Sequence, residues 1–308
     1  RELAVLADTL GFHRYWISEH HNSDAMGSSA TVVLMAHVAQ ATQRIRVGAG
    51  GIMLPNHAPL VVAEQFITLS SLFPNRVDLG VGRASGGDRL TAAALRRGAQ
   101  APDFATDVDA IRTFLTPRKR ARDEASFVRA TPGHGAKVPM FLLGASVESA
   151  TLAGRLGLPY AFAAHIFPAQ IETSLEAYRR AFVPRASLRA PYTLASTHVV
   201  LADTDARARF LARTLERKYV ALLSGLFEGL RPPSRAASDV GDRRTRLAAR
   251  PYLAGAIIGS PKTAEQALDT LVHRSGVDEV LATTDIYDHE ERLHSFRLLS
   301  SLSPRTQA

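Results

Sequence analysis

Apolar and polar positions follow two rhythms along this chain. Short runs rich in β-branched and aromatic residues read as strands: residues 14–20 (RYWISEH), 46–54, 77–82, 138–144, 160–165, 192–202 and 278–284. Between them apolar residues recur at three-to-four spacing, the mark of helices, over residues 29–40, 60–72, 105–115, 147–156, 169–182, 204–223 and 262–275. Ala30, Val33, Leu34 and Val38 show that spacing in the first of these. A helix over residues 1–10 precedes the first strand, and another from about 289 to 302 closes the chain.

Strand and helix alternate strictly, which argues for a parallel α/β sheet. The strands are nearly continuous apolar runs, as expected when both faces of a sheet are covered. An open doubly wound sheet and a (β/α)8 TIM barrel both satisfy this pattern. A barrel needs one strand more than the seven read here, placed upstream of residue 1, because the chain opens on a helix. Residues 225–255 break the rhythm, being rich in Arg, Pro, Ser and Asp (RPPSRAASDVGDRRTR). Long loops of this kind serve as lids or as surface insertions, and 226–254 is read as one or the other.

Composition narrows the class. The 308 residues are 46% hydrophobic and 21% charged, a globular balance. No cysteine is present, so disulfides and thiolate metal sites are excluded. With no signal-like segment this points to the cytoplasm, and no apolar run approaches the ~20 residues a membrane helix needs. The net charge of +8 is carried almost entirely by arginine, with only four lysines. The arginines are scattered apart from clusters at 118–122 and 243–250, and no aromatic residues interleave with them. A nucleic-acid surface would need that stacking platform, so no nucleic acid is expected as a partner.

Candidate chemistry gathers where barrels place it, at the carboxyl ends of strands. Gly82-Arg83-Ala84-Ser85-Gly86-Gly87-Asp88 follows one strand. Its glycines permit close approach to a ligand and its arginine offers a fork for phosphate, although a plain turn has the same composition. Gly144-Ala145-Ser146 precedes a helix whose first turn holds Ser149. That is either a simple N-cap or an anion site, and Arg83 favours the second. Gly50-Gly51 inside an apolar strand marks a bend or a close backbone approach. Glu19-His20-His21 ends the first strand. Adjacent strand residues point to opposite faces, which argues against one metal held by both histidines. His57 and His165 could add ligands, but no spacing motif joins them. A proton or hydrogen-bond donor fits the histidine better. Lysines are too scarce at strand ends for Schiff-base chemistry.

Four stretches together resemble the bacterial luciferase-like flavin-dependent monooxygenases: GFHRYWISEHHN, RIRVGAGGIMLPNHAPLVVAEQFITLSSLFPNRVDLGVGRASGGD, FLLGASVESATLAGRLGLPYAFAAH and GVDEVLATTDIYDHEERLHSFRLL. The likeness runs in order over about residues 3–299, and is thin at about 101–137 and 226–254. It implies a single (β/α)8 TIM-barrel domain over 1–308 with a C-terminal helix at 288–303. It also implies reduced FMN that reacts with O2 to form a flavin C4a-hydroperoxide and oxidises a small organic substrate. His20 matches a catalytic histidine beside the flavin, with Glu19 as its orienting partner and His21 structural or turned toward the neighbouring helix. Arg83 matches an arginine on the FMN phosphate, and Ser146 and Ser149 match hydroxyls at the phosphate helix. Gly50-Gly51 matches the place of a non-proline cis peptide near the ring, and His165 is grouped with these cofactor-binding positions. No dinucleotide fingerprint follows an early strand, so a separate flavin reductase is expected to supply the FMN, and relatives are commonly homodimers. The same fold serves deazaflavin-dependent dehydrogenases and non-catalytic flavin-binding proteins, which are the alternatives. Met53, Leu54, Phe162 and Ile166 are expected to form part of an apolar wall at the mouth, with 226–254 as its lid.

Overall fold

The computed structural model describes residues 1–96, 103–116, 128–132, 137–226, 229–236 and 241–302, which fall into two compact units. The arginine cluster at 118–122 lies outside the described residues.

The first unit comprises Arg1–Asn22 and Met26–Leu143. It runs α1 (Glu2–Thr9), β1 (Arg14–Ile17), α2 (Thr31–Ala41), β2 (Arg46–Met53), α3 (Pro59–Leu72), β3 (Val77–Gly82), α4 (Arg89–Arg96), α5 (Phe104–Leu115) and β4 (Met140–Gly144). The strands pair in parallel in chain order, with Tyr15 opposite Val47, Val47 opposite Val77 and Leu79 opposite Met140. Two buried carboxylates brace the amino ends of these strands. Asp8 accepts the N–H groups of Gln43, Arg44 and Ile45 at 2.6, 3.0 and 2.8 Å, which fixes the entry into β2. Asp78, inside β3, accepts from Arg14 (2.6 Å), Arg46 (2.6 Å) and the Trp16 indole (3.1 Å). A buried charge is tolerated only when paired in this way.

The second unit comprises Ser23–Ala25 and Gly144–Ala308. It runs α6 (Val147–Leu156), β5 (Tyr160–Phe162), α7 (Ile171–Ala181), β6 (Thr193–Leu201), α8 (Asp205–Leu211), α9 (Arg213–Leu223), α10 (Arg243–Leu253), β7 (Ile257–Gly259), α11 (Pro261–Ser275), β8 (Glu279–Thr283) and α12 (His289–Ser300). Strand β6 is long enough to serve three neighbours. Its first half pairs β8 from Leu194–Glu279 to His198–Thr283, and its second half pairs β7 from Val199–Ile257 to Leu201–Gly259. Strand β5 pairs Thr193 to Ala195. Every one of these pairs is parallel.

The alternating parallel architecture is as the apolar pattern implies. Several details differ. An eighth strand, Ile257–Gly259, joins the seven expected; three residues ending in glycine are too few for periodicity to reveal. The stretch 225–255 is not wholly a loop. Arg243–Leu253 form a helix capped by Asp242, whose side chain accepts the Thr245 N–H at 2.9 Å. Its Ala249 is buried against Leu215, Tyr219 and Val220. Its arginine-rich exposed face, which includes the 243–250 cluster, hid that narrow apolar stripe. The helix expected over 204–223 is two helices that meet at Ala212. Finally, β1 stops at Ile17, three residues short of the expected end. No helix among the described residues is long and apolar enough to cross a membrane.

Candidate functional site

The carboxyl ends of the strands in the first unit carry a tightly bonded polar cluster. Because β1 ends at Ile17, Ser18, Glu19, His20 and His21 lie in the loop beyond it, and strand alternation no longer decides where they point. Glu19 is 1% exposed. Its carboxylate accepts from the Met53 N–H (3.0 Å), from His21 Nε2 (2.9 Å), from His57 Nε2 (2.9 Å) and from the Asn56 amide (3.2 Å). Burial alone would raise its pKa. The hydrogen bonds from His57 and His21, the His57 charge and the Met53 N–H outweigh burial and pull it down to about 2.

This corrects the expected pairing. Glu19 orients His21 and His57, while the His20 ring has Ser18 Oγ at 3.2 Å from its Nδ1. His57, expected at most as a metal ligand, is instead a partner of this carboxylate. Among the described residues no three His, Cys, Asp or Glu side chains are placed to hold a metal ion.

The glycine-rich loop after β3 is stitched to the same cluster. The His21 N–H donates to Gly86 O at 2.9 Å, and the Asn56 amide donates to Ser85 O at 2.8 Å. Gly86 has φ +66°, and a Cβ there would stand 3.0 Å from Glu19 O, so the close approach requires glycine. Asp88 caps α4 through the Thr91 N–H (2.7 Å) and accepts from Asn22 (3.2 Å). Arg83, on this loop, is exposed and has no hydrogen-bond or ion-pair partner among the described residues. The Gly50–Gly51 peptide is cis, as the resemblance implied. A Cβ on Gly51 would fall 2.8 Å from Gly80 O, where the β2–β3 register slips between Ala49 and Ile52. Leu54 and Phe162, expected in an apolar wall, are core residues with 0% and 1% exposure; Ile166, by contrast, is exposed.

In the second unit Ser146 and Ser149 form a reciprocal capping box at the start of α6. Each backbone N–H donates to the other's hydroxyl oxygen at 3.3 Å. Ser149 Oγ also lies 2.8 Å from the Tyr160 hydroxyl, and burial pushes that phenol up to about 12. Capping is thus realised, while the other first-turn N–H groups have no intrahelical acceptor. His165 follows β5, its Nδ1 2.7 Å from Ser196 Oγ on β6. Its backbone carbonyl accepts from the Tyr219 hydroxyl at 2.6 Å.

Behind it lies His198, 2% exposed, which the sequence reading missed. The available signal was Ser196 and His198 spaced two apart inside the apolar run YTLASTHVV. Burial lowers the His198 pKa to about 4, against the opposing pull of Asp285 and with the help of Lys218. The unfolded chain therefore takes up a proton near pH 6.5 that the folded chain refuses until about pH 4. The stability this contributes is complete above 6.5 and is lost as pH falls through that window, by about 3 kcal/mol in all. Urea titrations at pH 7 and pH 4.5 should differ accordingly. The difference should shrink in His198→Gln, and an equal difference in that variant would contradict the assignment.

The sequence model of the luciferase-like monooxygenases matches residues 1–279. The chain is 41% identical over 302 residues to YvbT of Bacillus subtilis (98% of this chain, 89% of the relative), a protein described as uncharacterized. It is 39% identical over 299 residues to a luciferase-like monooxygenase of Escherichia coli K12 (96% and 88%). The crystal structure of apo-MsnO8 superposes with a TM-score of 0.89 at 35% identity, covering 99% of this chain and 92% of that one. The oxygenating constituent of 3,6-diketocamphane monooxygenase from Pseudomonas putida, in complex with FMN, shares the fold at 20% identity (98% and 90%; TM-score 0.69). An F420-dependent secondary alcohol dehydrogenase shares it at 16% identity (98% and 93%; TM-score 0.69).

Proposed function

Since the chain belongs to the luciferase-like monooxygenase family, we propose that it is a flavin-dependent monooxygenase of the (β/α)8 barrel type, using reduced FMN and O2 to oxidise a small organic substrate. When bound, reduced flavin supplies the two electrons that activate dioxygen; the protein's part is to bind, orient and exclude water. The donor set suits such a group. An exposed arginine with no hydrogen-bond or ion-pair partner among the described residues, on a loop held by the His21 N–H at Gly86 O and the Asn56 amide at Ser85 O, is the observation that carries the reading. A guanidinium is suited to bidentate phosphate recognition; in the second unit the first turn of α6, with Ser146 and Ser149, carries N–H groups suited to an anion. Gly50 and Gly51 offer bare backbone to the flat ring, and His165 offers an imidazole. His20, held by Ser18, supplies a donor to the reacting oxygen, and the Glu19 cluster keeps its loop in place.

A separate flavin reductase is the source of the reduced cofactor in this reading. A homodimer is proposed from the exposed Val33 and Leu72 on α2 and α3, at 69% and 64%, with light scattering as its check. Air oxidation separates the cofactor readings. Reduced FMN bound to the protein should consume O2 rapidly, whereas a deazaflavin-dependent hydride carrier should turn over a substrate with no O2 uptake.

Arg83→Ala is expected to weaken FMN binding roughly 10- to 100-fold, the worth of one charge-assisted hydrogen bond. Its melting temperature should stay unchanged, because the side chain bonds to nothing among the described residues. Quenching of flavin fluorescence on titration measures this, and unaltered affinity would remove Arg83 from the site.

A further inference from the structure

A hydrogen-bonded chain in the second unit leads to His165, and its other members have no role in the function proposed above. Lys218 and Tyr219 lie on α9, Ser196 and His198 on β6, Thr283 ends β8, and Asp285 follows it. Lys218 Nζ donates to Asp285 Oδ2 at 3.0 Å. His198 Nδ1 is 3.4 Å from that same oxygen and 3.1 Å from Thr283 Oγ1. His198 Nε2 is 2.9 Å from the Tyr219 hydroxyl, which donates to the backbone carbonyl of His165 at 2.6 Å. The His165 ring stands edge-on to the His198 ring, 5.6 Å between centroids, and Ser196 holds its Nδ1.

Counting protons fixes the states. A phenol has one proton, and Tyr219 gives it to His165. The contact at 2.9 Å is then a hydrogen bond only if His198 Nε2 carries a hydrogen. A neutral His198 with Nε2–H has a bare Nδ1, for which the Thr283 hydroxyl at 3.1 Å is a donor; the same hydroxyl has the Thr197 carbonyl at 3.3 Å as its other acceptor. The Asp285 carboxylate belongs to Lys218. In the other tautomer Nε2 would need the Tyr219 proton, and the His165 carbonyl would lose its donor. Groups facing the ring are Asp285, Lys218, Tyr219 and the His165 imidazole, and burial keeps it neutral down to about pH 4.

We propose that His198 and Tyr219 are positioning residues for His165: the Nε2–H tautomer of His198 locks the Tyr219 hydroxyl onto the His165 carbonyl, and with Ser196 on the ring this fixes the imidazole at the strand end. The role of that imidazole toward the flavin rests on the function proposed above; the lock itself does not.

The test is made first on the flavin-free protein, by NMR of 15N-labelled histidines, with signals assigned from His165→Gln and His198→Gln. Wild-type His198 should show a protonated Nε2 and a bare Nδ1 from pH 8 to pH 5. A proton on Nδ1 in that range overturns the proposal, whatever becomes of any variant. Tyr219→Phe and His198→Leu should shift the apparent titration midpoint of His165 by about half a pH unit or more. His198→Gln, whose amide replaces the Nε2–H donor, should restore it. An unmoved midpoint in all three also overturns the lock. Titration of the same proteins with FMN then tests the functional reading separately. A wild type that binds no FMN while the tautomer and the His165 response persist would sink the flavin assignment and leave the lock standing.

Discussion

Glu19→Gln is expected to destabilise the protein by about 3 kcal/mol, the cost of removing one partner from a buried charged network. For a chain of this size that lowers the melting temperature by roughly 5 °C. The carboxylate accepts four donors from three separate segments, His21 beside it, Met53 at the end of β2, and Asn56 and His57 in the turn that follows. Glutamine keeps the shape but replaces one acceptor oxygen with a donor, which faces other donors. The pH dependence has a definite sign. The folded pKa of about 2 lies below the ordinary 4.5, so the unfolded chain binds the proton first on acidification. The stability Glu19 contributes is present above pH 4.5 and is lost as pH falls toward 2. Thermal melts of wild type and variant should therefore differ most at pH 6–8 and converge near pH 2–3. A variant that melts with wild type at pH 7 would show that the cluster is not what holds this loop.

How much of this could be read in advance follows from what each feature depends on. Helix α6 was readable to the residue, because Ser146 and Ser149 cap it and Gly157 closes it in the left-handed conformation (φ +63°). All of those signals are local. The β1 boundary was misread because ISEHH continues the strand pattern, whereas the backbone leaves the sheet after Ile17 to bring Glu19 to Met53. That departure depends on a partner 34 residues away, which no local pattern contains. The same holds for His57 and for Tyr219 with His198. Helix α10 was lost for another reason. Its arginines dominate the composition, and the single buried Ala249 that seats it against Leu215 and Tyr219 is a weak apolar signal. The resemblance implied the cis Gly50–Gly51 bond that the structure holds, whereas Glu19, expected to orient His20, bonds His21 and His57.

His20→Ala should separate binding from chemistry. His20 is half-buried in the loop after β1, its Nδ1 near Ser18, while the Glu19 carboxylate accepts from His21, His57, Asn56 and the Met53 N–H. Its removal leaves those four donors in place, so fold stability and FMN affinity should remain within a few-fold of wild type. What is lost is a hydrogen-bond donor to oxygen undergoing reduction. One donor to a charged group contributes about 1.5–3 kcal/mol, so the interval between O2 uptake and release of hydrogen peroxide should shorten roughly 10- to 100-fold. The balance is simple: two electrons and two protons from reduced FMN convert one O2 to one H2O2 when no substrate is oxidised. Stopped-flow mixing of the reduced FMN complex with aerated buffer, followed by flavin absorbance and a peroxide electrode, reads the interval without knowledge of the substrate. Arg83→Ala is the control, since at saturating FMN it should keep the wild-type interval. If His20→Ala lost FMN affinity as Arg83→Ala does and left the interval alone, the two residues would share one role and the proposed division between them would be wrong.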